Sequence, residues 1–547
     1  MKDLSVSSPT TRPRAALADV TPEVNRTQIA SRSARYYLGL FAVALLMVGL
    51  RFFMLGHQSF WIDEGYTLYF SDGPTVGAAL SRLLETDLSD RFHIPYYLIM
   101  LGWRHLFGDS EVAVRSFSTL CSIISAVLVY FTARYWFGQR YALWAFLTVS
   151  LSAYCIYYGQ EARDYALTIM MVSAQLFAIS RAFSQREMTH PWGANWGFKL
   201  LFAVFTALGM VLNVLMFCFS AGLALAHLLM MRGMRRWLSW WVPATVLSVL
   251  PVMMYLLAPS ATSPDEIGVS RFYLPLMYNV AYAVYGLLAG TTFAPPQILL
   301  RTGSKLAVVT AYWPMLAWFA ATFAVIATGF LGYWLWRWHR HRNTYTLERF
   351  LTYTLAISFA LGVMLAYVTK LNWLPRHVFY VAPVIALLLP ALFRHVPVSL
   401  RGANALVRIA ACSLVAINVV SLGNYYFGDL YQRDDFRAVA QYVSTHVSDG
   451  VQSVLIGGAG DTRLMTYYGS PDTLDGKYIT PTIQTGGFAE NVADLTNDAR
   501  EVLLVSNREY VIAEAGEVVA AMEQGYELLD LAEFHYFKVY HFQKQSV

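Results

Sequence analysis

The chain has 547 residues, of which 56% are hydrophobic and only 14% charged, and its mean hydropathy is +0.43. A soluble surface of that size needs far more charge, so the composition excludes a soluble multidomain protein and requires lipid-facing helices. The net charge of +5 comes from basic residues scattered between apolar segments, which excludes a nucleic-acid-binding patch.

Residues 1–35 are rich in Ser, Thr, Pro and Arg and lack an apolar face, the pattern of a disordered cytoplasmic tail. They are not a cleavable signal, because the first apolar run, Tyr36 to Leu55, comes late and has no small-residue cleavage pattern. Further apolar runs follow near 112–133, 141–158, 165–183, 198–212, 214–231, 238–258, 311–336, 350–369, 377–393 and 405–424. The pattern predicts a polytopic α-helical membrane protein with about eleven transmembrane helices. The runs 198–212 and 214–231 are shorter than the roughly 20 residues a span usually needs, so 198–231 also reads as one broken hairpin. Cys121, Cys155, Cys218 and Cys412 all lie in apolar runs without the paired spacing of a zinc or redox motif, and read as small buried side chains.

Loop charge sets the orientation. With the tail inside, the inner loops Arg134–Arg140, Arg181–Lys199, Arg232–Arg236, Arg337–Arg349 and Arg394–Arg408 are basic and hold just Glu187 and Glu348 as acids. The outer segments collect Asp63, Glu64, Asp72, Glu85, Asp87, Asp90, Asp109, Glu111, Glu161, Asp164, Asp265 and Glu266. This separation requires that HIPYYLIMLGWRHLF, residues 93–107, does not span; it reads as an amphipathic helix lying in the interface. Past Tyr425 the character changes. Asp434–Val447 reads as an amphipathic helix, and SVLIGGA, EVLLVSN and FKVYHFQ as strands of a small α/β domain. The resulting map is a tail at 1–35, a membrane domain at 36–427 with an outer loop at 56–111, and a soluble domain at 428–547. An odd number of spans puts that last domain outside.

Three segments carry candidate chemistry. In SFWIDEGYTLYF, Asp63 and Glu64 follow the first span beside Trp61 and Tyr66. Adjacent carboxylates near hydrocarbon need hydrogen bonds or a cation, and such a pair can supply a general base; the bland alternative is a loop whose acids cap the next helix. In YYGQEARDY, Glu161 and Asp164 reach the same side of the membrane. They can hold a divalent cation with His93 as a third ligand, or they can simply pair with Arg163 to close a loop. In KLNWLPRHVFYVAP, Arg376 and His377 stand at the mouth of a span, where a guanidinium can bind phosphate or merely anchor the helix among headgroups.

Taken in order, WIDEGYT after the first span, HIPYYLIMLGWRHLFGDSEVAVRSFS, YYGQEARDYAL and LPRHVFYVAPVIALLLP resemble the dolichyl-phosphate-mannose protein mannosyltransferases. The likeness extends to their bacterial relatives, which include the lipid A aminoarabinose transferases and share the C-type glycosyltransferase fold. The segment YQRDDFRAVAQYV leading into an α/β domain is similar to many bacterial members. The resemblance implies sugar transfer from a polyprenyl-phosphate donor to a lipid, glycan or protein acceptor at the outer face of the cytoplasmic membrane. The C-terminal domain would then be periplasmic. It implies Asp63 as catalytic base with Glu64 beside it, and Arg376 at the donor phosphate with His377, Arg163 and Tyr66 around the donor. Glu161 or Asp164 takes the place of a second-loop acid that positions the donor or a metal. A divalent metal held by His93, Glu161 and Asp164, or Arg alone, would supply the positive charge. One departure is His93-Ile94-Pro95, where many relatives have His-Pro-Pro. The competing class is a transporter or flippase for lipid-linked sugars, which places ionisable groups near the midplane and often shows inverted repeats; this chain shows no repeat and gathers its acids in loops.

Overall fold

The computed structural model describes residues 23–84, 93–183, 196–213, 215–230, 234–257, 276–340, 347–369, 373–394, 401–447, 451–456, 459–469, 478–479, 496, 499–507 and 515–545. The expected outer acids Glu85, Asp87, Asp90, Asp265 and Glu266, the inner Glu187 and the tail residues 1–22 lie outside the described residues. The helices are α1 Glu23–Phe52, α2 Ile62–Phe70, α3 Val76–Leu84, α4 Ile94–Phe107, α5 Glu111–Phe137, α6 Gln139–Leu151, α7 Ala153–Gly159 and α8 Tyr165–Ile179. They continue with α9 Trp196–Leu212, α10 Met216–Met230, α11 Met234–Leu257, α12 Leu276–Ala289, α13 Gln297–Thr302, α14 Lys305–Ala311, α15 Trp313–Arg340, α16 Leu347–Thr369, α17 Ala382–Arg394 and α18 Arg401–Phe427. Residues 23–35, assigned from sequence to the tail, are the beginning of α1.

Five helices are long and apolar enough to cross a bilayer among the described residues: Ala34–Phe52, Glu111–Phe137, Trp313–Leu335, Leu347–Val368 and Ala405–Phe427. Taken together, α6 and α7 are also long and apolar enough, but they bend by 59° at their junction, the shape of a broken span or of a re-entrant loop. The runs expected at 165–183, 198–212, 214–231 and 377–393 form shorter apolar helices, and so does 276–289, which the hydropathy pattern did not single out. At about 1.5 Å per residue such helices fall short of the roughly 30 Å hydrocarbon layer, and they pack among their neighbours. Thus α8 is buried at nearly every position.

The bend between α6 and α7 shows how a break in an apolar helix is tolerated. Arg51 of α1 is fully buried and donates to the carbonyls of Val149 (3.0 Å) and Ser150 (3.3 Å) and to Ser122 Oγ (2.8 Å). On the other side, the Ala153 amide donates to Asn418 Oδ1 at 2.8 Å. Groups freed by the break therefore find partners inside the protein, as a non-polar surround demands. Helix α4 exposes Ile99, Leu106 and Phe107 and buries Tyr96, Tyr97 and Met100, a two-sided pattern. Its Arg104 is turned inward, donating to the carbonyls of Leu68 (2.9 Å) and Ser71 (2.8 Å). Cys121, Cys155 and Cys218 are buried free thiols; Cys412 is exposed, on α18 near the exposed Ile409 and Val415, so burial was the wrong expectation for it.

The C-terminal region adds α19 Phe436–Val447, β1 Gln452–Ile456, α20 Ala459–Tyr468, β2 Tyr478–Ile479, β3 Glu501–Asn507, α21 Ala515–Met522, β4 Tyr526–Phe534 and β5 Phe537–Lys544. The sheet order is β2-β1-β3-β5-β4, with β1 parallel to β2 and β3, and β5 antiparallel to β3 and β4. The strands β1 and β3 are almost wholly buried, which explains their continuous apolar runs. The exposed β4 carries no such run and was not anticipated.

Candidate active site

Helix α2 starts where Trp61 adopts an extended conformation and Glu64 folds back to accept from the Trp61 amide at 3.3 Å, the half of a capping box that the third residue supplies. This first turn sends its two carboxylates to different places. Glu64 is fully buried, and Arg115 of α5 grips it with Nε to Oε1 at 2.8 Å and Nη2 to Oε2 at 2.7 Å. The Ala162 amide donates to Oε1 at 2.8 Å, and Arg433 Nη1 lies 3.2 Å from Oε2. The remaining donors of Arg115 go to the carbonyls of Leu55, Gln58 and Ser59. Burial works to raise the Glu64 carboxyl, but Arg115, Arg433 and the Ala162 amide hold it below the usual carboxylate range.

Asp63 faces the other way. Its Oδ2 accepts from Arg376 Nη1 at 2.8 Å, and its backbone carbonyl accepts from Arg163 Nη1 at 3.2 Å, a nitrogen that also donates to Tyr97 Oη at 3.1 Å. The Asp63 and Arg376 side chains are 20% and 33% exposed, whereas those of Glu64, Arg115 and Arg433 are essentially covered. This is the accessible ion pair at the edge of a buried charge cluster.

Arg376 sits in a 3₁₀ turn, Pro375–Val381, entered through extended Leu374. The turn is pinned by Tyr154 Oη donating to the Pro375 carbonyl at 2.9 Å and by Gly286 of α12, where an added Cβ would lie 2.6 Å from Pro375 Cγ. His377 Nδ1 accepts from the Leu374 amide at 3.0 Å, so it helps shape the turn. Tyr66 stacks on Phe70 and packs against Gly460 of α20.

The loop between α7 and α8 brings the second acids. Asp164 is buried with Oδ2 3.3 Å from His93 Nδ1 and 3.0 Å from Asn213 Nδ2. Glu161, 1% exposed, has no hydrogen bond to either oxygen among the described residues and lies 3.6 Å from Arg433 Nη2. Burial, with Glu64 and Asp63 nearby, outweighs Arg433 and pushes its carboxyl up to about 8. His93 and Asp164 therefore meet, while Glu161 turns to Arg433, and among the described residues no three His, Cys, Asp or Glu side chains gather as a metal centre requires. Arg115, Arg433 and Tyr97 were missed from sequence. Arg115 and Tyr97 stand within HIPYYLIMLGWRHLFGDSEVAVRSFS and Arg433 within YQRDDFRAVAQYV, but nothing local to a motif tells which carboxylate a cation from elsewhere will meet.

Residues 94–260 match the family model described as dolichyl-phosphate-mannose-protein mannosyltransferase. Two crystal structures of ArnT from Cupriavidus metallidurans are similar to this chain. The one bound to undecaprenyl phosphate shows a TM-score of 0.52 and 12% identity over 92% of this chain and 97% of that one. The apo form shows 0.52 and 12% over 93% and 98%. Archaeal oligosaccharyltransferase AglB from Archaeoglobus fulgidus, in complex with an inhibitory peptide and a dolichol-phosphate, gives 0.48 and 12% over 90% and 73%. No curated protein matches the chain by sequence. The chain thus resembles the mannosyltransferase family in the matched segment, and it has an ArnT-like fold over nearly its whole length, as the ordered motifs implied.

Proposed function

We propose that this chain is a membrane glycosyltransferase that moves a sugar from a polyprenyl-phosphate-linked donor to an acceptor hydroxyl at the outer face of the cytoplasmic membrane. The observation that carries the reading is the Asp63–Arg376 pair: a carboxylate and a guanidinium 2.8 Å apart, both accessible, at the two motif positions that the family resemblance assigns to base and phosphate binding. The match to the mannosyltransferase family model and the ArnT-like fold support it. The undecaprenyl phosphate bound by the similar ArnT is the chemical class of donor carrier this site suits.

In this reading the donor phosphate takes the Arg376 guanidinium from Asp63, since the planar fork suits phosphate oxygens at least as well as one carboxylate oxygen. Asp63, released from its cation, accepts the proton of the acceptor hydroxyl as its oxygen bonds to the anomeric carbon. The bond from that carbon to the phosphate oxygen breaks with inversion, and the electron pair leaves on phosphate, stabilised by Arg376. Arg163 holds the backbone of Asp63, and Glu64 acts as a positioning residue rather than a second base, because its oxygens are already engaged. Of the proposed metal ligands, the His93–Asp164 pair is placed to orient the loop after α7, and no step here needs a metal. The acceptor is a lipid, glycan or protein hydroxyl. The N terminus is cytoplasmic and the C-terminal domain periplasmic.

The test uses the purified full chain with a panel of radiolabelled polyprenyl-phosphate sugars and a membrane-envelope extract as acceptor. Wild type should consume one donor and label one extract component. Asp63→Asn should lose transfer by about 10² or more while still binding undecaprenyl phosphate. Retention of over about a tenth of the activity removes Asp63 as base, and consumption of no donor by wild type removes the transferase reading.

A further inference from the structure

We infer that the C-terminal domain is a working part of this site. In this scheme Arg433 is a positioning residue that couples docking of the domain to the geometry of the Asp63–Arg376 pair. The functional half of this inference rests on the transferase reading above.

Arg433 lies in the segment that enters α19. Its amide donates to Gln58 Oε1 at 3.3 Å, and Ser59 Oγ donates to the neighbouring Asp434 carbonyl at 2.7 Å, so its backbone is tied to the loop just before α2. The side chain, 6% exposed, lies between Glu64 (3.2 Å) and Glu161 (3.6 Å), with the Tyr157 ring centre 4.9 Å from the guanidinium carbon. A second contact joins the domain to α2 itself. A Cβ on Gly65 would lie 2.5 Å from the Gly460 carbonyl oxygen, and one on Gly460 would lie 3.0 Å from the Ile62 carbonyl oxygen. The backbones of α2 and α20 therefore touch directly, which glycine alone permits. At the end of α20, Tyr468 Oη accepts from the Phe60 amide at 2.7 Å and donates to Glu111 Oε1 at 2.8 Å.

The helix that carries Asp63 is thus clamped between two bodies. Arg115 and Ala162 hold it from the membrane domain, and Arg433, Gly460 and Tyr468 hold it from the C-terminal domain. Arg433 meets Glu64 and Glu161 and acts on Asp63 through Glu64, one peptide bond away on the same helical turn. A buried ion pair is a poor device for stability alone, because apolar side chains of similar volume usually do as well. Placed between Glu64 and Glu161, it instead makes the position of α2 depend on whether the domain is seated. Since coupling is reciprocal, filling the phosphate site must also tighten the seat of the domain.

The experiment uses the full chain in detergent, with undecaprenyl phosphate as probe and hydrogen exchange read by mass spectrometry over residues 62–70 and 459–468. Arg433→Gln and Gly460→Leu should each raise exchange at 62–70 and weaken undecaprenyl phosphate binding at least about fivefold. Arg433→Lys, which keeps the charge but reaches one carboxylate at a time, should fall between them and wild type. Adding undecaprenyl phosphate to wild type should slow exchange at 459–468, a response that a merely structural domain does not give. Monodisperse Arg433→Gln and Gly460→Leu with wild-type exchange and affinity overturn the inference, and so does bound undecaprenyl phosphate that leaves 459–468 unchanged. If Arg433→Gln does not fold, Gly460→Leu decides, since it leaves every charge in place. If wild type binds no undecaprenyl phosphate, the transferase reading fails, and exchange at 62–70 in the variants still decides whether the domain holds α2.

Discussion

Arg376 and Glu161 show how the same buried cluster gives neighbouring charged residues different work. Arg376 keeps one-third of its side chain accessible and spends one nitrogen on Asp63, which leaves the other arm of its fork for a ligand. If it grips a donor phosphate through both arms, Arg376→Lys should weaken undecaprenyl phosphate binding and Arg376→Ala should weaken it further, because an ammonium is a point charge. If it were an interfacial anchor, lysine would serve equally well, and unchanged affinity in both variants would establish that role. Glu161 is the member of the cluster that burial keeps protonated at neutral pH. Its carboxyl is pushed up from 4.5 to about 8, so the folded chain holds a proton that the unfolded chain has lost. Stability from this group is present below about pH 4.5, declines as pH rises towards 8, and is absent above. Glu161→Gln, which cannot ionise, should melt close to wild type near pH 5 and at higher temperature than wild type at pH 9. Thermal unfolding of the detergent-solubilised chain across that range measures it, and a glutamine variant less stable than wild type at pH 9 refutes it.

At the scale of elements, α10 and α16 cross closely at Gly222. A Cβ there would lie 2.1 Å from Ser358 Oγ and 2.7 Å from the Ser358 amide nitrogen. One neighbour is backbone, which cannot rotate away, so the helices must separate to admit a side chain. Gly222→Val should lower stability by about 1–3 kcal/mol, the usual cost of overpacking, read as a drop in the thermal midpoint of the solubilised chain. Much of this level was legible in the sequence. The long apolar helices α1, α5, α15, α16 and α18, the two-sided α4, and strands β1, β3 and β5 fall where periodicity and apolar runs placed them. The exceptions have physical causes. Helix α12 is short, with Asn279 buried inside it, so its run falls below the length of a bilayer span. The α6–α7 break looks like one continuous apolar run, because the groups that satisfy it, Arg51 and Asn418, come from distant helices.

At the scale of the whole molecule, orientation is the testable consequence of loop charge. A reporter active outside the cytoplasm and fused after Val547 should be active, with the N terminus inside; a stably expressed but silent fusion would require an even number of crossings. Composition and apolar runs already determined a multi-pass membrane protein, and the C-terminal apolar runs a small sheet with helices, because burial in lipid acts on each segment independently of its neighbours. The ordered motifs likewise singled out Asp63, Glu161, Asp164 and Arg376 as candidates. Tertiary structure alone decided which of them meet. Asp63 pairs with Arg376, 313 positions away, whereas Glu64 beside it disappears beneath Arg115 and Arg433. It also decided that α20 packs against α2 through Gly65 and Gly460. The reason is that an ion pair or a close backbone contact is a property of two segments at once. Its energy depends on distance and on the exclusion of water, and neither is set until the chain has folded.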